Sequence, residues 1–378
     1  MGFVYNGVYP SQPPMDARVG VTPAIHEEST LIINRTLGVW KILRRHPQIV
    51  SFAARNLAHR FSHQVIKQFN QGWSAPPEHI SVVLTDICNL RCKMCQYAFT
   101  DAPGYQLNQV GGMKPHIFRK LMDEIPGRPI VSFTGGETLL HPEIAGFVAY
   151  ARQRGRFTTL TSNGWMLEKR AQDLCDAGLD FLVISVDGPH EIHNRVRGGK
   201  SFERLSAGIE TILSKPGRPV VFVSMAISDL NYEHLIPMYE LAQTWGVDGI
   251  NFNHLWMQTH KMVDVDMVAD SLDTLRKRAR YSSMMVKHTP ELSRENIRVW
   301  YSEPERLTKY ISTRCAWTRM KVWPDGSVKP CRAWKAGNIE THHAMEVWNG
   351  EKFRGFRQTL TVHGTLPICA RCCYMAYR

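Results

Sequence analysis

The sequence predicts an α/β fold, a partial (β/α)6 barrel with an N-terminal helical extension and a smaller C-terminal extension. Three observations carry this. Short runs rich in β-branched and aromatic residues alternate with amphipathic runs through the middle of the chain. Residues capable of chemistry fall at the C-terminal ends of those runs, where a (β/α) barrel carries its site. Cysteines gather in two groups, one directly after the first strand and one near the C-terminus.

The expected strands are Ile80–Thr85, Ile130–Thr134, Phe157–Thr161, Phe181–Val186, Val220–Ala226 and Gly249–Asn253. Helices are expected near His116–Ile125, Pro142–Arg154, Leu167–Ala177, Ser201–Leu213 and Tyr232–Trp245, between or after them. The stretch 263–312 reads as charged helix. Beyond it, MKVWPDGSVKPC reads as strand, turn and strand, with a helix near Val347–Leu360. The division is 1–78 (loop and basic amphipathic helices), 79–262 (barrel), 263–314 (helical bridge) and 315–378 (C-terminal cysteine module).

Composition bounds the rest. The chain has 378 residues, of which 43% are hydrophobic and 21% charged, ordinary for a soluble globular protein. No apolar run is long enough to span a bilayer, and the N-terminus lacks a secretory layout. The expectation is a cytoplasmic chain, with peripheral membrane attachment as an option. The net charge of +12 is uneven, because no acid occurs between Glu28 and Glu78 while Arg35, Lys41, Arg44, Arg45, Arg55, Arg60 and Lys67 do. Pro47–Asn70 places Ile49, Val50, Phe52, Ala53, Leu57, Phe61, Val65 and Phe69 on one helical face. Such a helix packs on the barrel, or lies on an anionic membrane surface and implies a lipid substrate. Nucleic acid is disfavoured, since no recurring basic and aromatic platform supports it.

Of nine cysteines, none precedes Cys88. Clustered thiols in a reducing compartment point to metal or redox chemistry rather than disulfides. ICNLRCKMC sets Cys88, Cys92 and Cys95 on one short loop. Three thiolates can hold three irons of a [4Fe–4S] cubane and leave the fourth open. Cys-x3-Cys-x2-Cys after the first barrel strand resembles the signature of the radical S-adenosylmethionine (SAM) superfamily. The resemblance implies a TIM-like partial barrel, SAM bound at the open iron, and its reductive cleavage to a 5′-deoxyadenosyl radical that abstracts hydrogen. It also implies a reducing partner such as flavodoxin or ferredoxin. The family usually has an aromatic residue before the third cysteine; here Met94 stands there, apolar and polarizable enough to pack on adenine, with Tyr97 nearby.

Thr134-Gly135-Gly136-Glu137 resembles the family motif that holds the SAM amino group; glycines allow a ligand to approach the backbone, and a carboxylate accepts from an ammonium. Ser162, Asn163, Ser185 and Asp187 match family positions that contact SAM ribose and carboxylate, although each could instead cap the next helix. Arg195 and Arg197, in HNRVRGG, read as a basic or solvated loop. Cys315, Cys331, Cys369 and Cys372, with PDGSVKPC and EVWNGEKFRGFR around them, resemble the SPASM/Twitch extension, which implies one auxiliary [4Fe–4S] cluster with four protein ligands. Cys373 could compete with Cys372, and Cys175 reads as a small core residue.

The leading reading is an oxidoreductase-type radical enzyme acting on a small molecule or lipid, with the auxiliary cluster moving an electron. Dehydrogenation, epimerisation and carbon–carbon bond formation would use the same parts. The catalytic acid or base is unmarked, with His254, His260 and Asp187 as candidates. One alternative is a peptide-modifying maturase, disfavoured because residues 1–78 show no hairpin. Another is a non-catalytic zinc-binding interaction protein, in which four cysteines, or three with a ligand such as His116, bind zinc.

Overall fold

The computed structural model of the chain describes residues 42–44, 72–95, 111–255, 263–303, 306, 311–312, 314–331, 334–366, 369, 372 and 376–377. Seven strands lie side by side in chain order with every neighbour parallel: β1 (His79–Thr85), β2 (Ile130–Gly135), β3 (Phe157–Ser162), β4 (Phe181–Ser185), β5 (Val220–Ile227), β6 (Gly249–His254) and β7 (Met285–Thr289). Helices α1 (Pro115–Glu124), α2 (Ile144–Gln153), α3 (Leu167–Asp176), α4 (His190–Arg197), α5 (Ser201–Ser214), α6 (Leu235–Trp245) and α7 (Val265–Ala279) occur in the connections. This is the expected partial barrel.

Strand alternation separates its two faces. Ile80, Val82 and Leu84 of β1 join Val131, Phe133, Leu160, Val221, Val223, Ile250 and Phe252 in one core with Ile117, Phe118, Leu121 and Phe147 of the helices. The residues between them point to the inner face. There His79 Nε2 meets Ser132 Oγ at 2.6 Å, Ser132 Oγ meets Thr159 Oγ1 at 2.6 Å, and Asn253 Nδ2 donates to Ser224 Oγ at 2.5 Å. A separate apolar cluster, Ile42, Phe181, Val220, Phe222 and Met285, packs at the starts of β4, β5 and β7.

The C-terminal part comprises α8 (Arg294–Ser302), β8 (Ile311–Ser312), α9 (Cys315–Thr318), β9 (Arg319–Val322), β10 (Ser327–Val328), β11 (Gly337–Asn338), α10 (Ala344–Trp348), α11 (Glu351–His363) and β12 (Ala376–Tyr377). It is joined to the barrel through the backbone. β9 pairs in parallel with β1, His79 opposite Arg319 and Val82 opposite Val322, so the barrel sheet continues into β10 and β11. The expected hairpin at Pro-Asp-Gly-Ser is present, with Val328 opposite Val322 and Gly326 N–H bonded to Trp323 O at 2.9 Å. Gly326 has φ +77°, the left-handed conformation this turn requires.

Three local expectations change. The stretch read as a helical bridge contains β7, a strand paired along β6; its alternation was hidden by the lysine and histidine of Met-Val-Lys-His-Thr, acceptable on an edge strand. The HNRVR part of HNRVRGG lies in helix α4, with Val196 and His193 buried, and the two glycines follow its end. The helix expected over Val347–Leu360 is two helices, divided at Gly350. The basic helix expected at 47–70, Tyr97, His260 and Cys373 lie outside the described residues. Among the described residues no helix is long and apolar enough to cross a membrane.

Candidate active site

The first cysteine loop leaves the C-terminal end of β1 and is held by β2. Gly136 N–H donates to Thr85 O at 2.7 Å and Glu137 N–H to Ile87 O at 2.8 Å. The glycine pair is expected to admit a ligand to the backbone, but what occupies the Cβ space is the loop itself. A Cβ on Gly135 would stand 2.2 Å from Thr85 O, and one on Gly136 would stand 2.3 Å from Ile87 O. On its other side the loop is tied to α4 by Lys93 N–H donating to Val196 O at 2.9 Å. Within it, Cys95 N–H donates to Cys92 O at 3.0 Å, Leu90 N–H to Cys88 Sγ at 3.5 Å, and Met94 is half-buried.

Glu137 is wholly buried beneath this loop. Its Oε1 accepts from Ser162 Oγ at 2.6 Å and Leu139 N–H at 3.0 Å, and its Oε2 accepts from Asn163 N–H at 2.6 Å. Burial raises its pKa while these donors oppose the shift. Ser162 and Asn163, expected as ligand contacts, thus orient Glu137. The Asn163 side chain continues to the cysteine loop, donating to Asn89 Oδ1 at 2.9 Å. Asn89 was not singled out from sequence; an amide between two ligand-type cysteines was the available signal.

At the end of β4, Ser185 is half-buried opposite Ser224. Asp187 is fully buried: Oδ1 accepts from Ala226 N–H at 2.9 Å and Oδ2 from Arg197 Nε at 2.6 Å. Burial alone would lower the Arg197 pKa, but the charges of Asp187 and of Cys92 and Cys95 raise it overall. Arg197, absent from the expected site, therefore connects β4 electrostatically to the cysteine loop. The basic HNRVRGG stretch after the fourth strand was its mark in sequence. His116, considered as a further metal ligand, instead meets Glu340 Oε1 at 3.3 Å on the surface.

The second cysteine set forms around the start of α9. Cys315 opens that helix, Cys331 follows β10, Cys369 is buried in the core, and Cys372 packs against it. Cys369 Sγ accepts from Leu366 N–H at 3.4 Å, and Cys372 N–H donates to Cys369 O at 3.1 Å. Burial first, and then the neighbouring Cys372, Cys369 and Cys331, hold the Cys315 thiol above its ordinary value, so the three lie within electrostatic reach of Cys315. Cys175 packs against the core from α3, as expected.

Burial pushes the Cys92 thiol up to about 11 and Cys315 to about 12, and raises Cys88 and Cys369. Buried thiols become thiolates when a cation compensates them. Among the described residues no group of three or more His, Cys, Asp or Glu could hold a single metal ion. A cubane asks for something else, one thiolate at each of several separate irons.

Comparison with known proteins agrees with this donor chemistry. Residues 82–242 match the family model for the Radical SAM superfamily, and residues 314–373 match SPASM, an iron–sulfur cluster-binding domain. The chain belongs to the radical SAM superfamily. It is an enzyme with the capability to bind SAM and an auxiliary iron–sulfur cluster. Among similar proteins, the AdoMet-dependent heme synthase of Methanosarcina barkeri is 28% identical over 78% of this chain and 88% of its own length. The tungsten-containing aldehyde ferredoxin oxidoreductase cofactor-modifying protein of Pyrococcus furiosus is 23% identical over 78% and 87%. In fold the chain is similar to Streptococcus suis SuiB bound to SAM, with TM-score 0.61, 15% identity and coverage of 80% of this chain and 71% of that one. It also resembles anSMEcpe with AdoMet, with TM-score 0.57, 18% identity and coverage of 80% and 86%.

Proposed function

We propose that this radical SAM enzyme is oxidoreductase-type, acting on a small molecule, with Cys88, Cys92 and Cys95 ligating a SAM-binding [4Fe–4S] cluster. Cys315, Cys331, Cys369 and Cys372 supply four thiolates to a second, auxiliary [4Fe–4S] cluster. When bound and reduced, the first cluster with SAM supplies a 5′-deoxyadenosyl radical that abstracts hydrogen from the substrate.

The observation that carries the reading is the attachment of the three-cysteine loop to Gly136 and Glu137 by Thr85 O and Ile87 O. It fixes a buried carboxylate beside the thiols. Three hydrogen bonds occupy three of the roughly four acceptor positions of Glu137. Its Oε2 keeps a position for an ammonium hydrogen, and its charge favours a cation there. Ser162 and Asn163 hold that carboxylate in place, while Met94 and Ser185 supply apolar and hydroxyl contacts. Arg197, held in an ion pair with Asp187, lies within electrostatic reach of Cys92 and Cys95. Four protein thiolates leave the auxiliary site without an open position, which suits an electron acceptor for a net dehydrogenation.

Anaerobic reconstitution tests this. About eight irons with matching sulfide, and 5′-deoxyadenosine released under a strong reductant, are expected. Changing Cys88, Cys92 and Cys95 together to alanine should abolish release and leave about four irons. Zinc without sulfide, or no 5′-deoxyadenosine from fully loaded protein, sinks the reading.

A further inference from the structure

The two faces of the barrel strands differ in burial. Residues facing the helices, such as Leu160, Ile184, Val223 and Phe252, are fully buried, whereas Ser132, Thr159, Ser185, Ser224, Asn251 and Asn253, between such positions, are half-buried. Thr161 is exposed although β3 is paired on both sides and its neighbours Leu160 and Ser162 are buried. A residue in mid-sheet is exposed only where its face borders open space, so the inner face lines a lumen. The floor of that lumen, toward the strand starts, is the apolar cluster of Ile42, Phe181, Val220, Phe222 and Met285. Its other end carries the first cysteine loop, because the strands all run the same way and the loop leaves the C-terminal end of β1.

One wall of the lumen is built on amides. Thr289 Oγ1 donates to Asn251 Oδ1 at 3.0 Å, Asn251 Nδ2 to Asn253 Oδ1 at 2.9 Å, and Asn253 Nδ2 to Ser224 Oγ at 2.5 Å, a single chain across β7, β6 and β5. Strands paired in parallel on both sides are mostly apolar and asparagine is depleted in strands, so two on one face of β6 depart from what a sheet alone selects. An amide offers two N–H donors and two acceptor positions on its oxygen. The chain uses one of each on both asparagines and leaves one donor and one acceptor on both. On β3 and β4, the hydroxyls of Thr161 and Ser185 have no hydrogen-bond partner among the described residues. None of the inner positions of β1 to β7 is Asp or Glu, and the one lysine or arginine there is Lys287, exposed on the edge strand β7. The wall near β6 is therefore polar, uncharged and able both to donate and to accept.

We propose that Asn251 and Asn253, with the Thr161 and Ser185 hydroxyls, determine substrate specificity, and that they hold an uncharged molecule bearing neighbouring hydroxyl or carboxamide groups. This rests on the radical SAM reading for the word substrate, whereas the binding wall itself does not. A hydroxyl or a carboxamide both donates and accepts, so it uses the donor and the acceptor left on each asparagine. An ionised carboxylate only accepts and leaves the amide oxygens without donors. An acyl or isoprenoid chain does neither, and would bury the whole wall unpaired. Thr289 and Ser224 fix the two ends of the amide chain and act through the asparagines, as positioning residues.

The test is calorimetric titration of the reconstituted enzyme, with excess SAM and millimolar probes: myo-inositol as polyol, malonamide as carboxamide, malonate as anion and hexanol as apolar chain. One of the two neutral polar probes should bind, with an affinity insensitive to ionic strength, while malonate and hexanol do not. Asn251→Leu with Asn253→Leu, close in volume but without polar atoms, should weaken that probe roughly tenfold or more, since at least two hydrogen bonds are lost. Thr161→Val breaks no side-chain bond within the protein and should weaken it about threefold. Preference for myo-inositol assigns hydroxyl groups to the substrate, and preference for malonamide assigns carboxamides. Failure of both neutral probes to bind overturns the proposal, as does tighter binding of malonate or hexanol. Equal affinity in wild type and the leucine variant also overturns it. Should the leucine variant fail to fold, unchanged affinity in Thr161→Val overturns it alone. Because 5′-deoxyadenosine is not measured in this titration, failure here leaves the radical reading standing, and the reverse also holds.

Discussion

Arg197 Nε donates to Asp187 Oδ2 at 2.6 Å, an ion pair in which the Asp187 side chain is fully buried and that of Arg197 nearly so. Asp187 also accepts from Ala226 N–H, so one carboxylate joins α4 to β5, while Arg197 faces the first cysteine loop. Removing one partner of a buried pair strands the other charge. Asp187→Ala should therefore cost about 3–5 kcal/mol in denaturant unfolding. Asp187→Asn, which keeps an acceptor for Ala226, should cost less. Equal losses would show that the charge of Asp187 is irrelevant.

Gly135 and Gly136 give the second prediction. Gly135 has φ +136°, and the atoms facing its missing Cβ, like those facing that of Gly136, are main-chain carbonyls rather than movable side-chain ends. Alanine at either position must push the cysteine loop off β2, a cost on the order of 3 kcal/mol or more. Iron retention after gel filtration should fall in both variants. Gly127→Ala is the control: its φ is also positive, but no atom lies within 4 Å of the added carbon. Equal iron loss in all three would assign the effect to glycine conformation in general.

The alternation of strands and helices was readable because each central strand carries a continuous apolar face toward the helices, as Ile80, Val82 and Leu84 do. β7 escaped because an edge strand tolerates the polar Lys287 and His288. The parallel pairing of β9 with β1 was equally invisible, since a strand of four residues has no period to betray its partner across the chain. Cysteine spacing marked both thiol sets. What spacing could not reveal is who holds whom. Ser162 and Asn163 are bonded to Glu137, and Asp187 to Arg197, because buried carboxylates must be satisfied locally.

Acid should destabilise the fold in a defined window. Burial lowers His79 and His254 to about 3 and His193 to about 2, from an ordinary value of 6.5. The unfolded chain takes up these protons first. The stability they contribute is thus complete above about 6.5 and lost as pH falls toward the folded values. Each histidine adds at most about 1.4 kcal/mol per pH unit within that window. His193→Gln should flatten the slope of unfolding free energy against pH between 6 and 4 by about that amount. An unchanged slope would mean that His193 is protonated in the folded protein.

Arg357 gives the last prediction, at the root of the auxiliary site. It is fully buried beside the edge-to-face pair of Trp348 and Phe353, its Cζ 4.3 Å and 4.4 Å from their ring centroids. Nε donates to Ala316 O at 2.8 Å, the residue after Cys315, while Nη1 donates to Gly72 O at 2.9 Å and Asn349 Oδ1 at 3.0 Å. One guanidinium thus ties α9, α11 and the segment entering β1. Burial lowers its pKa to about 9, so it remains charged at neutral pH, stabilised by carbonyl dipoles and two aromatic faces. Lysine cannot replace it, because an ammonium lacks the planar fork that reaches these acceptors while stacked. Arg357→Lys and Arg357→Met should each destabilise the chain by about 2–4 kcal/mol. Because the bond lost lies next to Cys315, iron should leave the auxiliary site first. In a protein also carrying the Cys88, Cys92 and Cys95 to alanine changes, Arg357→Met should accelerate iron release to a chelator. Unaltered release despite the lost stability would separate Arg357 from the auxiliary site and leave it a role in the core alone.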